Sequence, residues 1–232
     1  SETLSWADGE EGIKSVTVPI VDDTISENTE YVAIMIDGGF ESRSSNADAL
    51  ITKGSTWLYL DDGSDQGTAW TESGYDDSDW SSGPAELGYG DGDEATVVKT
   101  GPTDTLRYLA TYFRHHFNVS DPTSISGLEL NLLRDDGAYV YLNGTLVVRD
   151  NISGGADQGF HYRYFARTSS EGTDFYTFPV ASDLLVAGDN VLAVSIHQHN
   201  EYSSDISFDL ELVAAPPVMR PDTYLGLIFD ND

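Results

Sequence analysis

Apolar residues fall at every second position in one short run after another along this chain. Leu128, Leu130 and Leu132 alternate with Glu129 and Asn131, and Ile206, Phe208, Leu210 and Leu212 alternate with Ser207, Asp209 and Glu211. Leu192, Val194 and Ile196 repeat the pattern, as do Val16, Val18 and Ile20, and then Val32, Ile34 and Ile36. Successive side chains on a strand point to opposite faces, so a period of two marks a strand with one buried face. Gly, Asp and Ser collect between the runs and supply turns. Val140 and Leu142 lead into Asn143-Gly144, after which Leu146 and Val148 resume, which is a hairpin signature. Helical periodicity is almost absent. The expected fold is all-β: an antiparallel jelly-roll β-sandwich, with a further small antiparallel strand unit formed by the N- and C-terminal segments.

The material for such a core is present. Of 232 residues, 39% are hydrophobic and 11% aromatic, well above the composition of disordered chains. No run approaches the roughly 18 apolar residues of a membrane helix, so membrane insertion is not expected. The chain opens on Ser1 without a leader and reads as a piece of something longer. Cysteine is absent, which removes disulfides and thiolate metal sites from the argument.

Charge narrows the partners. Forty acidic residues against 11 basic ones give a formal charge of -29, a field that repels phosphate backbones and anionic lipid; nucleic acid is therefore not an expected partner. Two readings of the excess stand together: a solvated acidic surface, and carboxylates converging on calcium, which takes hard oxygen ligands.

Two composition shifts divide the chain. Asp37-Gly38-Gly39 through Asn46 is polar, and Ala214-Ala215-Pro216-Pro217 is a stiff connector that cannot continue a strand ladder. The expected organisation is a leading segment over 1–44, a body over 45–215 and a closing strand over 216–232. In the flanks, Trp6-Ala7-Asp8-Gly9-Glu10, Lys14 to Ile20, Asp22-Asp23, Glu27 to Glu30 and the ending Leu227 to Asp232 resemble the latter half of a Calx-beta domain. The resemblance implies that the body is inserted into the last hairpin of a Calx-beta unit. It also implies a calcium site from Asp23, Glu27, Glu30, Asp230 and Asp232. An incomplete unit has an open sheet edge, which gives strand exchange with a second copy a physical motive.

The body carries Tyr75-Asp76-Asp77-Ser78-Asp79-Trp80, then Tyr112-Phe113-Arg114, Asp135-Asp136-Gly137 running to Asn143-Gly144, and Leu185 to Val194. In order and spacing these resemble the galactose-binding-like jelly rolls of secreted bacterial hydrolases and surface proteins. That resemblance implies an extracellular location and a carbohydrate-binding role. Asp135 and Asp136 also resemble the paired acids of a calcium-dependent lectin family, where calcium touches sugar hydroxyls. Their alternative, and the favoured one, is an acidic turn capping backbone amides.

Further candidates come from the residues themselves. Asp61 and Asp65 open a loop similar to an EF-hand, with Glu72 at the twelfth position; Gly63 and Gln66 break that pattern, leaving a structural ion as the alternative. Asp91 and Asp93 sit in Gly90-Asp91-Gly92-Asp93-Glu94 and offer another ion site. His161, Tyr162 and Tyr164 lie in an aromatic, donor-rich stretch suited to sugar stacking. His197 and His199 point to one side of a strand, away from the core-facing set, and read as ligand-contacting residues ahead of a zinc pair completed by His161. Trp57, Trp70 and Trp80 read as packing residues, and His115, in phase with Phe113 and Phe117, as a core histidine. Nucleophile-elbow, zincin-helix and phosphate-loop patterns are missing. The sequence therefore points to a non-catalytic, calcium-dependent extracellular module that binds a polysaccharide. The alternative is a calcium-stiffened spacer or adhesin stalk.

Overall fold

In the computed structural model, residues 30–34, 49–103, 105–154, 159–214 and 224–228 are described. The chain divides into two compact units, Ser1–Gly39 with Met219–Asp232 and Phe40–Val218. Numbered in chain order, the strands are β1 (Glu30–Ile34), β2 (Ala49–Ile51), β3 (Thr56–Leu60), β4 (Ser81–Pro84), β5 (Leu87–Tyr89), β6 (Thr96–Val97) and β7 (Ala110–Val119). They continue with β8 (Leu128–Asp135), β9 (Gly137–Leu142), β10 (Thr145–Asp150), β11 (Phe175–Val180), β12 (Gly188–His197), β13 (Ile206–Ala214) and β14 (Tyr224–Ile228). In the smaller unit β1 and β14 form a two-stranded antiparallel ladder, with Glu30 opposite Ile228 and Ile34 opposite Tyr224. The run Val16 to Ile20 lies outside the described residues.

The larger unit is an all-β sandwich. One six-stranded sheet has the order β10-β9-β12-β7-β3-β4, and the other has β11-β8-β13-β5-β6, with β2 also pairing β13. Every ladder is antiparallel except β5 with β6. Successive strands change sheets: β7, β8 and β9 fall on the first, second and first sheet, and β11, β12 and β13 on the second, first and second. That alternation is the winding of a jelly roll.

The period-two pattern explains why. Phe113, Val140, Leu142, Leu192, Val194 and Ile196 of the first sheet meet Leu128, Leu130, Leu132, Ile206, Phe208, Leu210 and Leu212 of the second in one buried core. Phe113 stacks on Phe208 at 4.3 Å between ring centroids, and Trp57 meets the same ring edge-on at 4.9 Å. Each such side chain contributes roughly 1.5–3 kcal/mol through its removal from water. Asn143 (φ 49) and Gly144 (φ 83) make the β9–β10 turn left-handed, which suits a two-residue hairpin. A register shift between Leu146 and Val148 then breaks the alternation, leaving Leu146 exposed and Val148 buried.

The two outer faces differ. Tyr112, Tyr139, Tyr141 and Ala193 on the first sheet are roofed by Trp70 and by Phe160, Tyr162 and Tyr164, forming a second apolar cluster. Beside it Arg114 is fully buried; its Nε donates to Asp77 at 2.6 Å and its Nη1 to the Trp70 and Glu72 carbonyls. Among the described residues no such roof of aromatic side chains covers the second sheet's outer face, which carries the carboxylates described next.

Candidate metal centre

Three acids meet at the end of the second sheet. Glu86 sits between β4 and β5, while Asp91 and Asp93 lie in the turn joining β5 to β6. Gly90 (φ +117) and Gly92 (φ +83) turn the chain there, and a Cβ on Gly90 would come within 2.6 Å of the Asp205 Cβ. Glu94 holds the turn by accepting from the Asp91 and Gly92 amides at 2.9 and 3.0 Å. With those amides occupied, the Asp91 and Asp93 carboxylates face Glu86. One oxygen from each of the three lies within 4.8 Å of the others, and this is the one such group of three among the described residues.

Asp135 lies in the wall beside them. It ends β8 directly opposite Ser207 of β13, whose Oγ donates to Asp91 Oδ2 at 3.1 Å. Asp135 is 0% exposed, yet neither of its carboxylate oxygens has a hydrogen-bond donor. The loop Glu171-Gly172-Thr173 passes directly over this pair. A Cβ on Gly172 would sit 2.6 Å from the Ser207 Cβ and 3.2 Å from that of Asp135, so only glycine fits. The result is an open cleft lined by Glu86, Asp91, Asp93, Leu133, Glu171, Gly172 and Thr173. The peptide bonds Ala85–Glu86 and Asp135–Asp136 are both cis.

The electrostatics match this crowding. Burial raises the Glu86 pKa, and the charges of Asp93, Asp91 and Asp209 add to the shift against a hydrogen bond from Ser207. Burial also holds Asp135 far above the usual carboxylate range, with the neighbouring Asp136, Asp205 and Asp91 acting in the same sense. None of the described ion pairs brings Lys, Arg or His to Glu86, Asp91, Asp93 or Asp135. A buried carboxylate without a donor or counter-ion is costly. A divalent cation would relieve it, and an all-oxygen set of carboxylates without histidine or cysteine fits calcium or magnesium in preference to zinc. The three converging carboxylates supply three to six oxygens, against the six to eight that calcium takes.

Other residues named from the sequence are placed differently. Asp136 is a structural cap: its Oδ1 accepts from the Ser170 amide at 2.8 Å and its Oδ2 from the His199 amide at 2.6 Å. Asp61 and Asp65 do not converge on an ion. Asp61 accepts from the Lys99 amide and ammonium at 2.8 and 3.0 Å, and Asp65 from the Gly67 amide at 2.9 Å. A lysine and a turn amide thus engage the two carboxylates expected there as ion ligands. His197 does face away from the main core, but it is fully buried under Phe160 and cannot touch a ligand. Its Nδ1 lies 2.7 Å from the Tyr164 carbonyl and its Nε2 3.0 Å from Ser195 Oγ, and burial lowers its pKa to about 4. His161, His197 and His199 do not assemble as metal ligands.

Tyr162 and Tyr164 pack half-buried on the second apolar cluster. His161 stacks on Tyr162 at 5.4 Å, and Arg163 Nε donates to the Tyr162 hydroxyl at 2.8 Å, so these rings are engaged within the protein. Trp57 and Trp70 are buried, while His115 is half-buried against Trp57 with Nδ1 2.9 Å from the Thr56 carbonyl. Asp23, Glu27, Asp230 and Asp232 lie outside the described residues, as does the Glu30 side chain. The sequence named Asp91 and Asp93 as ion ligands and Asp135 as a sugar-contacting residue; it did not point to Glu86, Ser207 or the Gly172 loop. A single acid five residues before Asp91 was the available signal for Glu86.

No protein-family model matches the chain, and no curated protein does. Among solved structures, a β-glucuronidase of Bacteroides uniformis is similar at TM-score 0.46 and 17% identity, over 70% of this chain and 17% of that one. A β-glucuronidase from Ruminococcus gnavus in complex with D-glucuronic acid is similar at TM-score 0.47 and 14% identity, over 75% of this chain and 31% of that one. A β-glycosidase from Bacteroides vulgatus gives TM-score 0.40 and 14% identity, over 72% and 20%. The chain thus spans less than a third of the length of each. At these scores and identities the likeness carries nothing about chemistry.

Proposed function

We propose that the Phe40–Val218 unit is a non-catalytic, calcium-dependent carbohydrate-binding module of an extracellular protein. The observation behind this reading is Asp135, a fully buried carboxylate without a donor, set against three converging acids in an open cleft. Glu86, Asp91, Asp93 and Asp135 would hold the ion. Bound calcium offers coordination positions beyond those that four protein groups fill, and sugar hydroxyls are hard oxygen ligands suited to them. An ion there would also tie the β5–β6 turn to β8 and to the 171–173 loop, and so order the cleft walls. The acidity of the whole chain supports an extracellular setting, where calcium is abundant.

The test is thermal melting in calcium and in chelator, repeated with soluble polysaccharides. A melting temperature raised by calcium and raised further by one polysaccharide supports the reading, because a ligand that binds only the folded state stabilises it. A calcium shift without any polysaccharide response transfers the function to a calcium-stiffened spacer. Calcium-independent melting in the wild type, unchanged by Asp91→Asn with Asp93→Asn, removes calcium from the account.

A further inference from the structure

Two rows of side chains on the outer face of the second sheet adjoin the cleft. The first is Phe175, Leu133 and Asp209, Cα partners across β11, β8 and β13. Leu133 and Thr173 line the cleft, so Phe175 stands one strand from one and two residues from the other. The second row is Thr177, Asn131 and Glu211. It is hydrogen-bonded across three strands, with Thr177 Oγ1 donating to Asn131 Oδ1 at 2.6 Å and Asn131 Nδ2 to Glu211 at 3.1 Å.

Over the Phe175 ring lies Lys53, its Nζ 3.8 Å from the centroid. The β2–β3 turn holds it there: the Gly54 amide donates to both carboxylate oxygens of Asp209, at 3.2 and 3.1 Å. Lys53 belongs to none of the described ion pairs. Its exposed, flexible stem therefore covers an aromatic face through a weak contact that a better-fitting group displaces.

From this arrangement we infer that the strip is a glycan subsite, and that its ligand is an uncharged sugar. This rests on the calcium-dependent reading of the adjoining cleft. Phe175 is the stacking platform, exposed as Lys53 swings aside, and the Asn131–Glu211 row reads hydroxyls. Glu211, an acceptor, suits hydroxyl donors. Charge decides the class of sugar. A divalent ion among Glu86, Asp91, Asp93 and Asp135 leaves up to two negative charges uncompensated, in a chain of formal charge -29. A uronate or sulfated sugar brought to that surface is repelled, and Lys53 alone does not reverse the field.

Affinity electrophoresis of the full chain in gels containing xyloglucan, galactomannan or polygalacturonate tests this, in calcium and in chelator. Retardation by a neutral polysaccharide and none by polygalacturonate is the expected result. Phe175→Ala should lose tenfold or more in affinity while keeping the calcium-raised melting temperature. Phe175→Tyr should bind like the wild type, and Lys53→Met as tightly or more tightly. Retardation by polygalacturonate alone, by nothing, or equally with Phe175→Ala and the wild type overturns the inference. Retardation that survives chelator yet falls with Phe175→Ala sinks the calcium reading and leaves the subsite standing.

Discussion

Asp135→Asn separates the cost of the buried carboxyl from its use. In the metal-free protein both Asp135 oxygens are buried without a donor, and Asp136 and Asp91 lie close enough to raise its pKa. Asparagine has the same shape, stays neutral at every pH and brings two N–H donors to those neighbouring acids, where a protonated carboxyl brings one O–H. Leaving a buried polar group unpaired costs about 1–3 kcal/mol, and a charged group costs more. The variant should therefore be more stable than the wild type in chelator by about 1–3 kcal/mol. For a protein of this size each kcal/mol is worth about 2–4 °C in melting temperature, so the gain is roughly 2–12 °C.

Calcium should narrow that difference, and reverse it where the lost affinity outweighs the gain. An ion at a hundredfold excess over its Kd adds about 2.7 kcal/mol to the folded wild type. Each tenfold loss of affinity on replacing a carboxylate ligand removes about 1.4 kcal/mol of that. Differential scanning calorimetry of both proteins, with a calcium titration of each, reads both effects. A variant whose advantage in chelator shrinks or reverses in calcium supports the argument. An Asp135→Asn protein less stable in chelator, with the calcium shift of the wild type intact, refutes it, because the carboxyl would then be serving the fold and not the ion.

Three further outcomes are expected. Arg114→Met leaves Asp77 with His116 as its remaining described cationic partner and unpairs the buried Trp70 carbonyl, and should destabilise the sandwich by about 1–3 kcal/mol in chemical denaturation. Gly172→Ala combines φ +60 with a Cβ placed 2.6 Å from Ser207, and should cost about 1–3 kcal/mol and weaken calcium binding by calorimetric titration. His116 lies between Asp189 at 2.9 Å and Asp77 at 3.0 Å. Burial lowers its pKa, but the hydrogen bonds and charges of those two acids prevail and the net shift is upward. Its stabilisation is complete below the unfolded value of about 6.5 and is lost as pH rises through the higher folded value. For so exposed a group this amounts to about 0.5–1 kcal/mol, and the pH slope above 6.5 should vanish in His116→Gln.

Strand identity was legible because one buried face writes itself into the sequence. Leu128 to Leu132, Leu192 to Ile196 and Ile206 to Leu212 each became a strand with those residues in the core. Outer faces are written less clearly. His197 obeys the same alternation as Ser195, but alternation does not say that Phe160 and its loop will close over them. Asp61 and Asp65 looked like ion ligands because nothing local shows that Lys99, 38 residues away, supplies the partner. Asp91 and Asp93 stood out through their glycines, whereas Glu86 and Ser207 join them only once β5 and β13 are paired. A cleft assembled from four separate segments has no spacing to read.

The contrast between the two outer faces points to where binding belongs. On the first sheet the polar groups are largely answered from within: Arg114 by Asp77, His116 by Asp77 and Asp189, His197 by Tyr164 and Ser195. Aromatic side chains from two loops cover much of the rest. On the second sheet the surplus is mainly of acceptors, with Lys53 over Phe175 as a cation outside the described ion pairs. Glu86, Asp91 and Asp93 converge, Asp135 lies buried near them without a donor, and Gly172 keeps the cover above Asp135 thin. A sequence that satisfies one face internally and leaves acceptors gathered on the other has left that second face to be completed by something outside the chain. Because the surplus consists mainly of oxygens, a cation, and after it the hydroxyls that such a cation can share, is the completion that the proposed function expects.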